Sequence, residues 1–420
     1  MILATRKPSL SLDLISSEAS TGCCSSSDGT SESDGERIPL ERFFEPIATI
    51  TMKLTLGCNL HCSYCNTETF SPRTPRMSMA LWKQVAHLLM ENSRERYVSM
   101  EFHGGEPMLL GNDWLLEAAG YAYDLGRKHG KMVRVPMVTN GTLLTAEAIQ
   151  HLKDAGVAIC LSCDGPPEIN DIMRGSGHAV FRAIQLLQQA DYLRGVMTVM
   201  STGNWNRMTE IMDWYESIGL CWYAINFQQP QGRGIDDVLL TDDQLFEGTR
   251  QVFEHMAEHR VTVYEAKLGQ QVERFVEGRS LGGQGCWDFD CQAGRSYIAI
   301  DLHGRIHSCG SDVSHHILGQ IQDGYIDREN YEQKQARLHH KNDWVLRCFD
   351  CNARRICDHS CPTSDFNNMA YKEAECQATK KLWNYFCENS NRVREVYRIA
   401  KRRGFIKPKS FGDVPALMRI

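Results

Sequence analysis

Apolar residues follow two rhythms along this chain. Short runs rich in β-branched and aromatic residues cover 47–54, 98–102, 133–138, 157–161, 196–201 and 221–227. Runs of that length and composition predict buried strands. Between them the apolar spacing changes to three and four. Ser78 can cap a helix whose Leu81, Val85, Leu88 and Leu89 fall on one face. Further helices are predicted near 114–129, 146–154, 179–190 and 206–218. Six strands alternating with helices predict an α/β fold, a parallel sheet curled into a partial (β/α)6 barrel. Active groups in such folds gather at the C-terminal ends of the strands.

The flanks read differently. Residues 1–45 include a stretch dominated by Ser, Gly, Asp and Glu, which cannot bury enough apolar surface to offset its ordering entropy. They are expected to form a flexible tail. The barrel is expected over 46–235, closed by the Gln- and Gly-rich run 228–234. A helical connector (236–285), a cysteine-rich unit (286–380) and a C-terminal helix and tail (381–420) should follow. That helix is basic at its C-terminal end, where positive charge suits the helix dipole.

Charge and composition narrow the function. The 420 residues carry a formal net charge of −6, which argues against a nucleic-acid partner. No apolar run approaches the ~20 residues of a membrane span. The first residues lack a basic-then-apolar signal pattern, so the expected location is cytoplasmic. Seventeen cysteines in a long chain of that kind point to metal or cluster binding rather than disulfides.

The densest chemistry follows the first barrel strand. Cys58, Cys62 and Cys65 are spaced C-x3-C-x2-C after Gly57. Three thiolates on one loop can hold three irons of a cubane cluster and leave the fourth open. A zinc site would call for four ligands in paired form. With Tyr64 before the third cysteine, the run resembles the cluster loop of radical S-adenosylmethionine (SAM) enzymes. The resemblance implies that SAM chelates the open iron and is cleaved to methionine and a 5′-deoxyadenosyl radical. The second strand ends in His103-Gly104-Gly105-Glu106-Pro107, similar to the family's GGEP motif, which holds the amino group of SAM. The next strand ends reach Asn140, Ser162 and Arg174. The last two resemble SAM-carboxylate ligands of sulfatase maturases, and an Arg fork suits a carboxylate. Asn140 and Asp164 also suit tight turns by residue type.

A second cysteine array lies beyond the barrel. Cys291, Cys309, Cys348, Cys351, Cys357, Cys361 and Cys376, with Gly304 between the first two, resemble the SPASM extension of sulfatase and peptide maturases. Cys286 supplies an eighth thiol. By that analogy, one auxiliary 4Fe–4S cluster takes Cys286, Cys291, Cys309 and Cys361. The other takes Cys348, Cys351, Cys357 and Cys376. With the SAM-binding cluster, three 4Fe–4S clusters are implied. A zinc ribbon built from Cys348, Cys351, Cys357 and Cys361 would strand the remaining thiols.

The resemblance implies a maturase that abstracts hydrogen from a ribosomally made precursor peptide and installs a carbon–carbon or thioether crosslink. A flavodoxin or ferredoxin would reduce it, and a separate protein could bind the leader. The alternative is formylglycine formation on a protein Cys or Ser. Sulfatase maturases place an Asp base directly after the cysteine matching Cys309. Gly310 stands there in this chain, with Asp312 as the nearby catalytic candidate. A non-enzymatic iron–sulfur carrier is the third reading, disfavoured because a carrier needs neither an open iron nor an amino-acid clamp.

Overall fold

The computed structural model describes residues 37–66, 71–193, 195–236, 238–278, 291–311, 317–339, 348, 350–357, 361 and 369–406. Twelve strands form one sheet: β1 (Arg37–Pro39), β2 (Thr49–Lys53), β3 (Tyr97–His103), β4 (Met132–Thr139), β5 (Val157–Ser162), β6 (Val196–Met200), β7 (Trp222–Phe227), β8 (Tyr264–Glu265), β9 (Tyr297–Asp301), β10 (Arg305–His307), β11 (Ile317–Gln320) and β12 (Tyr325–Asp327). The first helices are α1 (Leu40–Phe44), α2 (Met79–Asn92), α3 (Asn112–Lys128), α4 (Ala146–Asp154), α5 (Pro167–Met173), α6 (Gly177–Gln189) and α7 (Met208–Ser217). Then come α8 (Asp242–Glu258), α9 (Ala266–Glu277), α10 (Arg328–His339), α11 (Met369–Glu388) and α12 (Ser390–Arg402).

Strands β2 to β7 pair in parallel, neighbour to neighbour. They are the six strands expected from the sequence, and the partial α/β barrel stands. Two further strands join them. The two-residue β8 pairs in parallel with β7, and β9 pairs in parallel with β2. The stretch read as a connector therefore supplies one more β/α repeat, too short in its strand to show a period. Beyond β9 the sheet turns antiparallel through β10, β11 and β12 to β1.

Residues 37–44, placed in the tail on composition, form β1 and α1, with Leu40, Phe43 and Phe44 buried in the main core. Three large apolar residues in five outweigh the polar stretch before them. The closing helix is two helices, with a break near Asn389, and the first begins at Met369.

Side-chain alternation separates the two faces of the sheet. Ile50, Met52, Val98, Met100 and Phe102 are buried among the helices, where Phe102 packs on Trp82 of α2. The opposite face carries Thr51, Lys53, Glu101, His103 and Tyr297, so the lumen beside β2, β3 and β9 is polar. Helix starts are fixed by side-chain caps. Ser78 accepts from Leu81 N at 3.2 Å, and Thr241 forms a capping box with Gln244.

Candidate active site

The cysteine loop leaves β2 and lies on the end of β3. Gly105 N donates to Thr55 O at 2.7 Å and Glu106 N to Gly57 O at 2.8 Å. A Cβ on Gly105 would stand 1.9 Å from Gly57 O, and one on Gly104 would stand 2.3 Å from Thr55 O. The two glycines thus let two stretches of the protein's own backbone touch. Two more segments clamp the loop. Ser63 N donates to Met173 O and Arg233 N to Cys65 O, each at 2.9 Å. The loop bearing Arg233, read as the barrel's end, therefore also holds the cysteine loop in place.

The three thiols interact electrostatically with one another. Leu60 N donates to Cys58 Sγ at 3.4 Å, and Asn140 Nδ2 reaches the same sulfur at 3.8 Å. Burial pushes the Cys62 thiol up to about 11, opposed by the Arg174 charge, and burial raises Cys58 too. The bare thiols of Cys58 and Cys62 therefore hold their protons, and binding iron would displace them. Three sulfurs on one loop, with N–H donors aimed at one of them, fit a cluster ligated at three irons.

Glu106 is fully buried. Its Oε1 accepts from Met108 N at 2.9 Å and Thr139 Oγ1 at 2.7 Å, and its Oε2 from Asn140 N at 2.8 Å. A carboxylate offers about four acceptor sites, so one remains for an ammonium group. Asn140 does more than turn the chain. Its amide also donates to Asn59 Oδ1 at 2.9 Å, beside the first cysteine.

Tyr64, Asp164 and Arg174 form a buried triad. The Tyr64 hydroxyl donates to Asp164 Oδ2, and Arg174 Nε donates to the same oxygen at 3.2 Å. Val199 N donates to Oδ1 at 2.8 Å, and the Arg174 guanidinium lies 5.5 Å from the Tyr64 ring centre. Asp164, read first as a turn residue, therefore ties the cysteine loop to β5 and β6. Residue type alone hid this, because Asp also suits turns and its partners lie 100 and 35 positions away. The terminal nitrogens of Arg174 take no acceptor among the described residues, which leaves them for an anionic ligand. Ser162 ends β5, half-buried, on the same side.

Lumen and cysteine-rich unit meet at β9. Thr51 Oγ1 lies 2.8 Å from both Glu101 Oε2 and the Tyr297 hydroxyl. A Cβ on Gly310 would stand 2.8 Å from that hydroxyl and 3.3 Å from Thr51 Cγ2, so an Asp would not fit at that position without displacing both. Cys291 and Cys309 pack in one small cluster with Ala293 and Leu338. Cys376 interacts electrostatically with Cys348 and Cys351. Cys357 lies against α11 beside Glu375 and Ala378. The described cysteines are free of disulfides. Cys286 and Asp312 lie outside the described residues.

The profile of the radical SAM superfamily matches residues 52–215, the segment from β2 through α7 that carries this site. The chain carries a radical SAM domain. It is 25% identical to the AdoMet-dependent heme synthase of Methanosarcina barkeri, over 73% of this chain and 89% of that one. It is 26% identical to the mycofactocin maturase MftC of Mycobacterium tuberculosis, over 78% of this chain and 81% of that one. In fold it is similar to native anSMEcpe with bound AdoMet and Cp18Cys peptide, with a TM-score of 0.67 and 18% identity, over 84% of this chain and 99% of that one. None of the described helices is long and apolar enough to cross a membrane.

Proposed function

We propose that Cys58, Cys62 and Cys65 hold a 4Fe–4S cluster and that this radical SAM enzyme matures a ribosomally made precursor peptide by a side-chain crosslink. The observation that carries the cluster assignment is the seating of three thiols on one loop, pinned from three sides. When bound, the cluster supplies the electron that cleaves SAM. This chain's own residues do the rest. The open acceptor site of Glu106 takes the amino group of SAM, and the free terminal nitrogens of Arg174 take its carboxylate. Asp164 holds Arg174 at the right depth. The polar lumen around Glu101, Lys53 and His103 receives the substrate side chain.

Support for a peptide substrate comes from the maturase relative and from the peptide-bound fold relative. Formylglycine formation with the usual base is disfavoured, because Gly310 stands where sulfatase maturases place an Asp. The seven described cysteines of the C-terminal unit fit two auxiliary clusters, with Cys286 completing the first set. An external flavodoxin or ferredoxin would supply electrons.

Two experiments test this reading. Replacing Cys58, Cys62 and Cys65 together by Ala should remove about four irons and abolish 5′-deoxyadenosine formation. SAM cleavage by the triple variant would refute the cluster assignment. Short peptides encoded beside this gene, co-expressed with it, should lose mass in steps of two hydrogens per crosslink. Unmodified peptides, together with turnover of a heme precursor, would move the substrate to the heme synthase class.

A further inference from the structure

Four side chains able to ligate a metal meet where α7 runs beside α8. Asp213 and Glu216 stand three apart on α7, and His255 and His259 stand four apart along α8 and its C-cap. Each spacing puts both side chains on one helical face. His255 Nε2 lies 3.1 Å from Asp213 Oδ1 and 3.5 Å from Glu216 Oε2. His259 Nδ1 lies 2.6 Å from Glu216 Oε2. The two imidazoles stack at 4.0 Å, and the ligand atoms of Asp213, His255 and His259 all lie within 4.8 Å of one another.

Ordinary surface ion pairing accounts poorly for this arrangement. The His255 side chain has no exposed surface, and its Nδ1 has no hydrogen-bond partner among the described residues. Asp213 and Glu216 stand in the C-terminal half of α7, where the helix dipole is negative and disfavours anions. Helix α8 ends at the same place with His259 as its C-cap. A cation here would offset both carboxylates and both helix ends. The turn after His259 also holds Arg260 and Val261 at φ of 53° and 56°. Left-handed backbone at a β-branched residue is strained and persists only where its surroundings impose it.

We propose that Asp213, Glu216, His255 and His259 bind a divalent transition metal of the zinc class, bracing α7 against α8. Two nitrogens and two oxygens without thiolate suit zinc and exclude an iron–sulfur cluster. Zinc–ligand bonds of about 2.0–2.1 Å put tetrahedral ligand atoms about 3.3–3.4 Å apart. The separations of 3.1 and 3.5 Å bracket that value. The 2.6 Å contact must open by under an ångström when a metal replaces the shared proton. Asp213, Glu216 and His259 are partly exposed, which gives the metal access from solvent. Because helices run opposite to the strands of a β/α barrel, these helix ends lie at the end away from the cysteine loop.

The test uses the full chain with its iron–sulfur clusters loaded, exposed anaerobically to Zn²⁺ and desalted. Elemental analysis should find one more zinc per chain in the parent than in His255→Ala/His259→Ala, at equal iron. Zinc-edge absorption should show a nitrogen and oxygen shell at about 2.0–2.1 Å. Zinc should raise the melting temperature of the parent but not of the variant. Equal zinc in the two proteins, or a sulfur shell at about 2.3 Å, would overturn the site. If the double variant fails to fold, the exposed Asp213→Asn replaces it. That change should weaken zinc binding about tenfold or more, and unchanged affinity would be equally decisive.

Discussion

Arg174 and Asp164 are a buried ion pair whose partners do different work. Among the described residues, Asp164 is fully partnered, whereas the terminal nitrogens of Arg174 take no acceptor. Removing one partner of such a pair typically costs about 3–5 kcal/mol, because the other charge is left buried. Asp164→Asn should therefore destabilise the cluster-loaded protein by that order in chemical denaturation. The double change Asp164→Asn/Arg174→Gln should cost less than Asp164→Asn alone. A double loss equal to the sum of the two single losses would mean the pair is uncoupled. Arg174→Gln should in addition weaken SAM binding by ~30- to 1000-fold at unchanged iron content, as expected for a lost buried charge pair worth about 2–4 kcal/mol. Titration calorimetry decides that, and unchanged affinity would leave Arg174 only its bond to Asp164.

At the scale of elements, two glycines give a matched pair of predictions. Gly105→Ala drives a methyl against Gly57 O and should separate the cysteine loop from β3, with iron loading falling several-fold. Gly120→Ala, in the middle of α3 with nothing within 4 Å, should instead stabilise by about 0.4–1 kcal/mol. Thermal melts and iron counts on both variants check this, and similar behaviour of the two would refute the packing argument. The same contrast shows what the sequence made legible. Strands β2 to β7 and the motif residues at their ends follow from local apolar runs and fixed spacings. Pairings between distant segments do not. Nothing local in residues 264–265 or 297–301 marks them as additions to the parallel sheet, since strand partners are chosen by whichever edge is open. The link from Arg233 to Cys65 is a backbone hydrogen bond, and such bonds leave no trace in residue type.

For the whole molecule, the issue is how the cysteine-rich unit serves the barrel. Its first strand lies in the barrel sheet, and Tyr297 reaches Thr51 in the lumen. We expect the auxiliary clusters proposed for it to act after hydrogen abstraction, accepting the electron that a newly closed product radical must lose. Cys348→Ala or Cys376→Ala should then lower crosslinked product far more than 5′-deoxyadenosine. Circular dichroism and iron counts must first show a folded protein lacking one cluster, since metal sites also staple folds. A wild-type ratio of the two products in such a variant would make that cluster structural.

The pairing of Arg37 with Asp327 also sets a schedule for synthesis. The partner of β1 is translated about 290 residues later, which at 5–20 residues per second is a delay of about 15–60 s. Through that interval Leu40, Phe43 and Phe44 have only part of their final packing. Strand β2, central in the finished sheet, is still an open edge until β9 emerges from the ribosome. A nascent chain stalled before residue 297 would therefore carry an exposed parallel edge beside a reactive cysteine loop. Chaperone capture and premature metal uptake should concentrate in that window, and ribosome-bound chains of graded length would reveal it as protease sensitivity that ends once residue 327 has cleared the exit tunnel.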